Sequence, residues 1–237
     1  MTINTEFMIQ TFFDVLAGIP VTLELTFITL LLSFPIAFFM ALQKLEKKKV
    51  SGKIVSGYVS FVRGTPVVLQ ILFLYSLLPT ILNYLIKEIL KLEFDIFSIN
   101  PMIYAFVVFS LNTVAVLTEV FRSALLTVEH GQLEAALAIG LNKCQAYVRI
   151  IIPQAIVSAL PNLCNATINL MKSTSLAFMM TVKDITAIAK VNAAFGYNYI
   201  EAYLVISVIY IILCTLVQLG YVAVERYFSS YKRFSTN

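Results

Sequence analysis

The chain has 237 residues, of which 59% are hydrophobic and only 13% charged, with a mean hydropathy of +0.88. A soluble domain carries about 25% charged residues, so a single water-facing globule is excluded. The net charge of +4 sits in short segments between apolar stretches, which excludes a basic nucleic-acid groove and points to membrane orientation instead.

Five stretches without Asp, Glu, Lys or Arg, each at least 19 residues long, separate Glu24 from Lys44, Arg63 from Lys87, Asp95 from Glu119, Arg149 from Lys172 and Glu201 from Glu225. About 20 apolar residues cross a bilayer as a helix. The chain therefore reads as an all-α, polytopic membrane protein with five transmembrane helices.

The first dozen residues hold no Lys or Arg and no small-residue cleavage signature, so the first span is expected to act as its own insertion signal. That span runs from about Gly18 to Leu42; Gly18 and Pro20 suit a helix start, and Pro35 is expected to bend it. It ends in Lys44, Lys47, Lys48, Lys49 and Lys53, a cluster that belongs on the cytoplasmic side. In residues 50–62, Val50, Ile54, Tyr58 and Phe61 recur about one turn apart, as in a short surface helix, with a connecting loop as the alternative.

Arg63, Gly64, Thr65 and Pro66 then lead into the second span, 65–86. Gly64 permits a tight turn, Pro66 suits a first helical turn, and Arg63 reaches headgroups or acids of a later loop. These positions are expected to serve architecture rather than solute contact.

The 87–97 loop is expected outside, the third span at 99–120, and 122–149 inside. The fourth span is placed at 151–171, and 172–182 is either its continuation or a broken helix. The segment 183–200 is expected outside, the fifth span at 202–223, and the tail inside. Twelve of the 17 basic residues fall in the inner regions, which puts the amino terminus outside and the carboxyl terminus in the cytoplasm.

The inner loop has more helical propensity than a turn needs. QLEAALAI reads as a helix stopped by Gly140, followed by a second periodic piece ending at Pro153. Such a knob suits docking into a partner's groove, although a plain turn stays open.

Glu134, Ala135, Ala136, then Gly140, then Ile150, Ile152 and Pro153 resemble the EAA loop of the membrane subunits of ATP-binding-cassette importers, with Ile152 where most members have Leu. FVRGTPVVLQ at 61–70 (Arg63, Gly64, Thr65, Pro66, Gln70), the stretch from Glu119 and Arg122 to Glu134, and 153–178 (Pro153, Gln154, Ala155, Pro161, Asn162, Lys172, Thr174, Ser175) are similar to the permeases for polar amino acids, the histidine, glutamine and cystine group. The resemblance implies one type I importer permease domain over 1–237, with a core at 18–226 and a cytoplasmic coupling loop at 122–153.

It further implies a bacterial inner-membrane location, a second permease (identical or homologous), two ATPase subunits that bind ATP and Mg, and an extracytoplasmic solute-binding protein. In that family the coupling helix, here carrying Glu134, Ala135, Ala136 and Gly140, sits in a cleft of the ATPase. Ser173, with Leu176, Ala177 and Phe178, resembles the branch that imports cystine, with glutamine, arginine or histidine as alternative solutes. Ala115 and Val116 depart from the Ala-Tyr of many relatives.

Glu24, Glu119 and Lys172 are the ionisable residues within or beside the spans. A lone charge facing lipid is costly, so each is expected to face a helix, a partner or the solute. Lys172 with Glu119 or Glu24 offers partners for a zwitterion, and an internal ion pair is the alternative. Asn162, Asn165 and Asn169 share one stripe of the fourth helix and serve either helix packing or the cavity. Asn112, Thr174 and Ser175 complete the candidate solute path.

No motif carries covalent chemistry. His130, the sole histidine, reads as a solvated loop residue; Cys144, Cys164 and Cys214 make neither a metal set nor a disulfide framework. The chain has no phosphate loop, so ATP hydrolysis is assigned to a partner. A structural or assembly subunit without its own solute site is the main rival reading.

Overall fold

The computed structural model describes residues 3–45, 50–91 and 96–233. Lys47, Lys48 and Lys49, the centre of the orientation signal, lie outside the described residues, as do 92–95 of the outer loop and the side chains of His130, Lys232 and Arg233.

Among the described residues the secondary structure is helical throughout: α1 (Thr5–Val15), α2 (Ile19–Leu45), α3 (Ser51–Gly64), α4 (Val67–Tyr84), α5 (Pro101–Leu126), α6 (His130–Ala138), α7 (Lys143–Ala146), α8 (Ile152–Ser173), α9 (Ile185–Gly196) and α10 (Tyr199–Arg233). Among the described residues five apolar runs are long enough to cross a membrane: Thr5–Leu45, Val67–Ile89, Pro101–Leu126, Lys143–Met180 and Tyr199–Phe228.

The central contact is α2 against α5. On α2 the buried residues Thr22, Thr26, Thr29, Ser33, Ala37 and Ala41 step every three or four positions. Small side chains at that spacing let two backbones approach closely where lipid offers no hydrophobic drive. Phe27, Leu31 and Phe39 on the other face are more than 60% exposed, as helices bathed in acyl chains require. Pro35 is accommodated inside α2 without ending it.

The structure revises two sequence expectations and decides two that were left open. First, the chain before Gly18 is itself helical: α1 is capped by Asn4, whose side chain accepts from the Phe7 N–H at 3.0 Å. Phe7, Met8, Thr11, Phe12 and Val15 bring α1 onto α9 and α10. Second, 51–64 is a helix, but it buries Gly52, Val55, Val59 and Val62. Val50, Ile54 and Phe61 point outward, each about 70% exposed, because the valine face is the one that meets α2 and α5.

Third, the periodic piece after Gly140 does not end at Pro153. It passes through a wide turn, Tyr147–Ile151, in which the Ile152 N–H reaches the Tyr147 carbonyl, and enters α8 with Pro153 in the first turn. The wide turn relieves the clash a proline ring makes with a carbonyl one turn earlier. Fourth, of the two alternatives for 172–182 the structure has the broken helix rather than a plain continuation. The Ser173 and Thr174 hydroxyls donate back to the carbonyls of Asn169 (2.9 Å) and Met171 (2.7 Å), and the helix tightens to 3-10 geometry over Thr174–Met180. Thr181, at φ +61°, ends it, and Asp184 caps the short helix α9.

Candidate functional site

Asn165, Asn169 and Lys172, on one stripe of α8, line an open groove of about 690 Å³ whose other wall is Ser207, Tyr210, Thr215 and Gln218 of α10. Cys164 and Cys214 lie in it as well. Lys172 stands in the last turn of α8, where the helix dipole favours a cation. Among the described residues no carboxylate lies within ion-pairing distance of it. By contrast, a groove of about 730 Å³ between α2, α8 and α10 is lined mainly by residues such as Leu23, Phe27, Leu30, Leu31 and Val217. That second surface offers a charged solute little.

The other candidate path residues are not gathered there. Glu119 pairs with Lys44 at the end of α2 and with Arg122, whose Nε lies 2.8 Å from Oε2, so it ties α2 to α5. Asn112 donates to Gln70 Oε1 at 2.9 Å. Glu24 is exposed on the outer face of α2. Thr174 is fully buried, and Ser175 is half-buried beside it. Asn162 is exposed without lining the groove.

The residues before α4 form a joint. Thr65 is extended (φ −113°, ψ 142°) as the residue before a proline must be, and this breaks α3 from α4. Pro66 is the cap residue of α4. Gln70 Nε2 donates back to the Val62 carbonyl at 2.7 Å, so Gln70 links α3, α4 and α5. Gly64 plays no spacing role: a methyl group there would meet nothing within 4 Å. Arg63 is exposed at the end of α3, and Pro161 is exposed within α8.

In the loop between α5 and α8, α6 presents Glu134 and Ala135 to solvent, while Ala136 is buried against the wide turn. Its end is a Schellman closure: Leu141 N–H donates to the Ala136 carbonyl (3.1 Å) and Gly140 N–H to that of Leu137 (3.0 Å). Gly140 sits at φ +88° with open space around it, so the backbone angle demands glycine, rather than any lack of room. Leu137 (45% exposed) and Ile139 (77% exposed) add an apolar tip that the Glu-Ala-Ala pattern did not single out. Asn142, with Gln145, caps α7 reciprocally.

The sequence from 33 to 230 matches the family of binding-protein-dependent transport system inner membrane components. The chain belongs to this family. Among curated relatives, a probable amino-acid permease protein of Bacillus subtilis is 36% identical over 212 residues, 90% of each chain. An L-cystine transport system permease protein of the same organism is 31% identical, covering 82% of this chain and 78% of the relative. A nopaline transport system permease protein of Agrobacterium fabrum is 33% identical over 88% of this chain and 85% of its own. In three dimensions the permease superposes on a chain of an amino acid ABC transporter crystallised with histidines (TM-score 0.77, 27% identity, 95% and 99% covered). It shares its fold with an inward-facing methionine ABC transporter at 17% identity (TM-score 0.68, 94% and 97% covered). The permease is thus a multi-pass membrane subunit of an amino-acid ABC importer.

Proposed function

We propose that the groove between α8 and α10 is this permease's share of the solute path, and that its solute is a polar amino acid, with L-cystine the first candidate. The observation that carries this reading is the convergence of Lys172, which has no carboxylate partner among the described residues, with the amides of Asn165, Asn169 and Gln218 and the hydroxyls of Ser207, Tyr210 and Thr215. Lys172 would take the solute carboxylate. Amide and hydroxyl oxygens would take its ammonium, since no acid is among the described residues that line the groove. Ser173 and two cystine permeases of Bacillus subtilis among the relatives, at 31% identity each, support the cystine reading.

A second permease would complete the path and cover the exposed carboxylate of Glu24, which lipid would tolerate poorly. With the loop from 122 to 153 on the cytoplasmic side, α6 would dock on an ATPase subunit through Glu134, Ala135, Leu137 and Ile139. ATP binding there would draw the two coupling helices together and open the spans outward, where an extracytoplasmic binding protein delivers the solute; hydrolysis would reset the path. ATP and Mg belong to the ATPase in this scheme.

The test is uptake of radiolabelled cystine by the reconstituted permease with its ATPase and binding protein, in competition with glutamine, arginine and histidine. Strongest competition by unlabelled cystine is expected. Full uptake unaffected by cystine but abolished by one of the others would reassign the solute, and assembly without uptake of any amino acid would favour a purely structural subunit.

A further inference from the structure

Gln70 closes the break between α3 and α4. Thr65 is extended and Pro66 brings no N–H, so the last carbonyls of α3 have no helical partner of their own. From the start of α4 the Gln70 side chain supplies one: its Nε2 donates to the Val62 carbonyl at 2.7 Å, to the Thr65 carbonyl at 3.0 Å and to Thr65 Oγ1 at 2.8 Å. Thr65 Oγ1 donates in turn to the Phe61 carbonyl at 3.0 Å, so all three groups facing Nε2 are acceptors, which assigns the nitrogen end of the amide. The oxygen end is left for α5, where the Asn112 amide donates to Gln70 Oε1 at 2.9 Å.

The same stretch of α5 also holds α3. Val55, Val59 and Val62 close over Ala115, which is fully buried, and the Tyr58 hydroxyl donates to the Leu111 carbonyl. Both arms of the joint are thus fastened around Leu111, Asn112 and Ala115. From there α5 runs unbroken to Leu126, about 21 Å of helix beyond Asn112, and α6 begins at His130.

We infer that Gln70, held by Asn112, is a positioning residue for energy coupling, an inference that rests on reading α6 as the element that docks on the ATPase. The amide keeps α3, α4 and α5 as one body, so a displacement of α6 passes along α5 and reaches α4 without being absorbed at the Thr65–Pro66 break. Packing alone does not stiffen that break, since a methyl group at Gly64 would meet nothing within 4 Å. Directed bonds do so instead, and removing the amide leaves the Val62 and Thr65 carbonyls and the Asn112 donor short of a partner. Neither Gln70 nor Asn112 lines the groove between α8 and α10, so solute contact there is not their role.

The test is the amount of ATP hydrolysed per amino acid taken up by the reconstituted importer, using whichever of cystine, glutamine, arginine and histidine the unsubstituted complex transports best. Gln70→Leu should assemble with the ATPase yet raise that ratio about fivefold, the population shift that follows from losing one hydrogen bond of ordinary net strength in one of two states. Asn112→Leu, which leaves the three bonds from Nε2 in place, should raise it less. If Gln70→Leu does not assemble, Asn112→Leu decides. A cap that served stability alone would lower the melting temperature while the assembled complexes kept the ratio of the unsubstituted protein, and that result in either variant would overturn the positioning role. Failure of the docking reading shows separately, as normal copurification of the ATPase with Glu134→Lys.

Discussion

A methyl group at Gly18 would sit 2.5 Å from the Ile185 nitrogen and 2.7 Å from the Asp184 carbonyl carbon. Both are backbone atoms that cannot swing aside. Gly18→Ala should therefore push α9 off the α1–α2 junction and lower stability by about 2 kcal/mol, read as a fall in melting temperature of the purified complex. Gly131→Ala, where nothing lies within 4 Å, should leave it unchanged or slightly raised. Asp184 gives the matching pH signature. Burial pushes its carboxyl up to about 6 from an ordinary 3.8, so the folded state holds the proton more tightly. Stability should then be greatest below pH 4, fall as pH rises to 6, and flatten above. The total is on the order of 3 kcal/mol, and Asp184→Asn should remove the slope; an unchanged slope in that variant would assign the titration elsewhere.

The coupling element, α6, depends on how it ends. Gly140 at φ +88° closes the helix, and a side chain there is strained by about 1 kcal/mol even with free space. Gly140→Ala should loosen the tip carrying Leu137 and Ile139, so copurification of the ATPase should weaken. Glu134→Lys should weaken it further by charge reversal at the docking face; normal copurification and uptake from Glu134→Lys would remove that residue from the interface. The Gly140 stop and the helix at 51–64 were legible because punctuation and periodicity are local. Which residues of α3 meet the protein was not, because Val50, Ile54, Tyr58 and Phe61 and also Val55, Val59 and Val62 recur at helical spacing, and only the neighbours α2 and α5 select Tyr58 and the valines. The wide turn before Pro153 is likewise a local backbone response that periodicity does not announce, whereas a break after Met171 was one of the two alternatives open for 172–182.

At the scale of the whole molecule, the charge-free stretches sufficed for five spans, since bilayer thickness dictates their length. The α8 stripe of Asn165, Asn169 and Lys172 was legible for the same reason as any helix face. Its opposite wall, Ser207, Thr215 and Gln218, was not singled out, because which face of α10 meets α8 is a matter of packing. Glu119 looked like a partner for Lys172 as an intramembrane acid, whereas the end of α2 supplies Lys44 and the next turn of α5 supplies Arg122. Orientation is open to a direct check. In a background lacking Cys144, Cys164 and Cys214, a cysteine at Leu90 should react with an impermeant thiol reagent from outside the cell, and one at Glu134 should not; the reverse pattern would invert the topology.

The most direct measurement is solute uptake by Lys172→Met in the assembled importer. Lys172 has no carboxylate partner of its own among the described residues, so the variant should insert and assemble normally. Its uptake should nevertheless fall at least tenfold, because the solute carboxylate would enter the groove unpaired. Lys172→Arg should retain partial uptake with an altered preference among amino acids, since a planar guanidinium does not occupy an ammonium's position. Full uptake by a well-assembled Lys172→Met complex would contradict the assignment of the α8–α10 groove to the solute path.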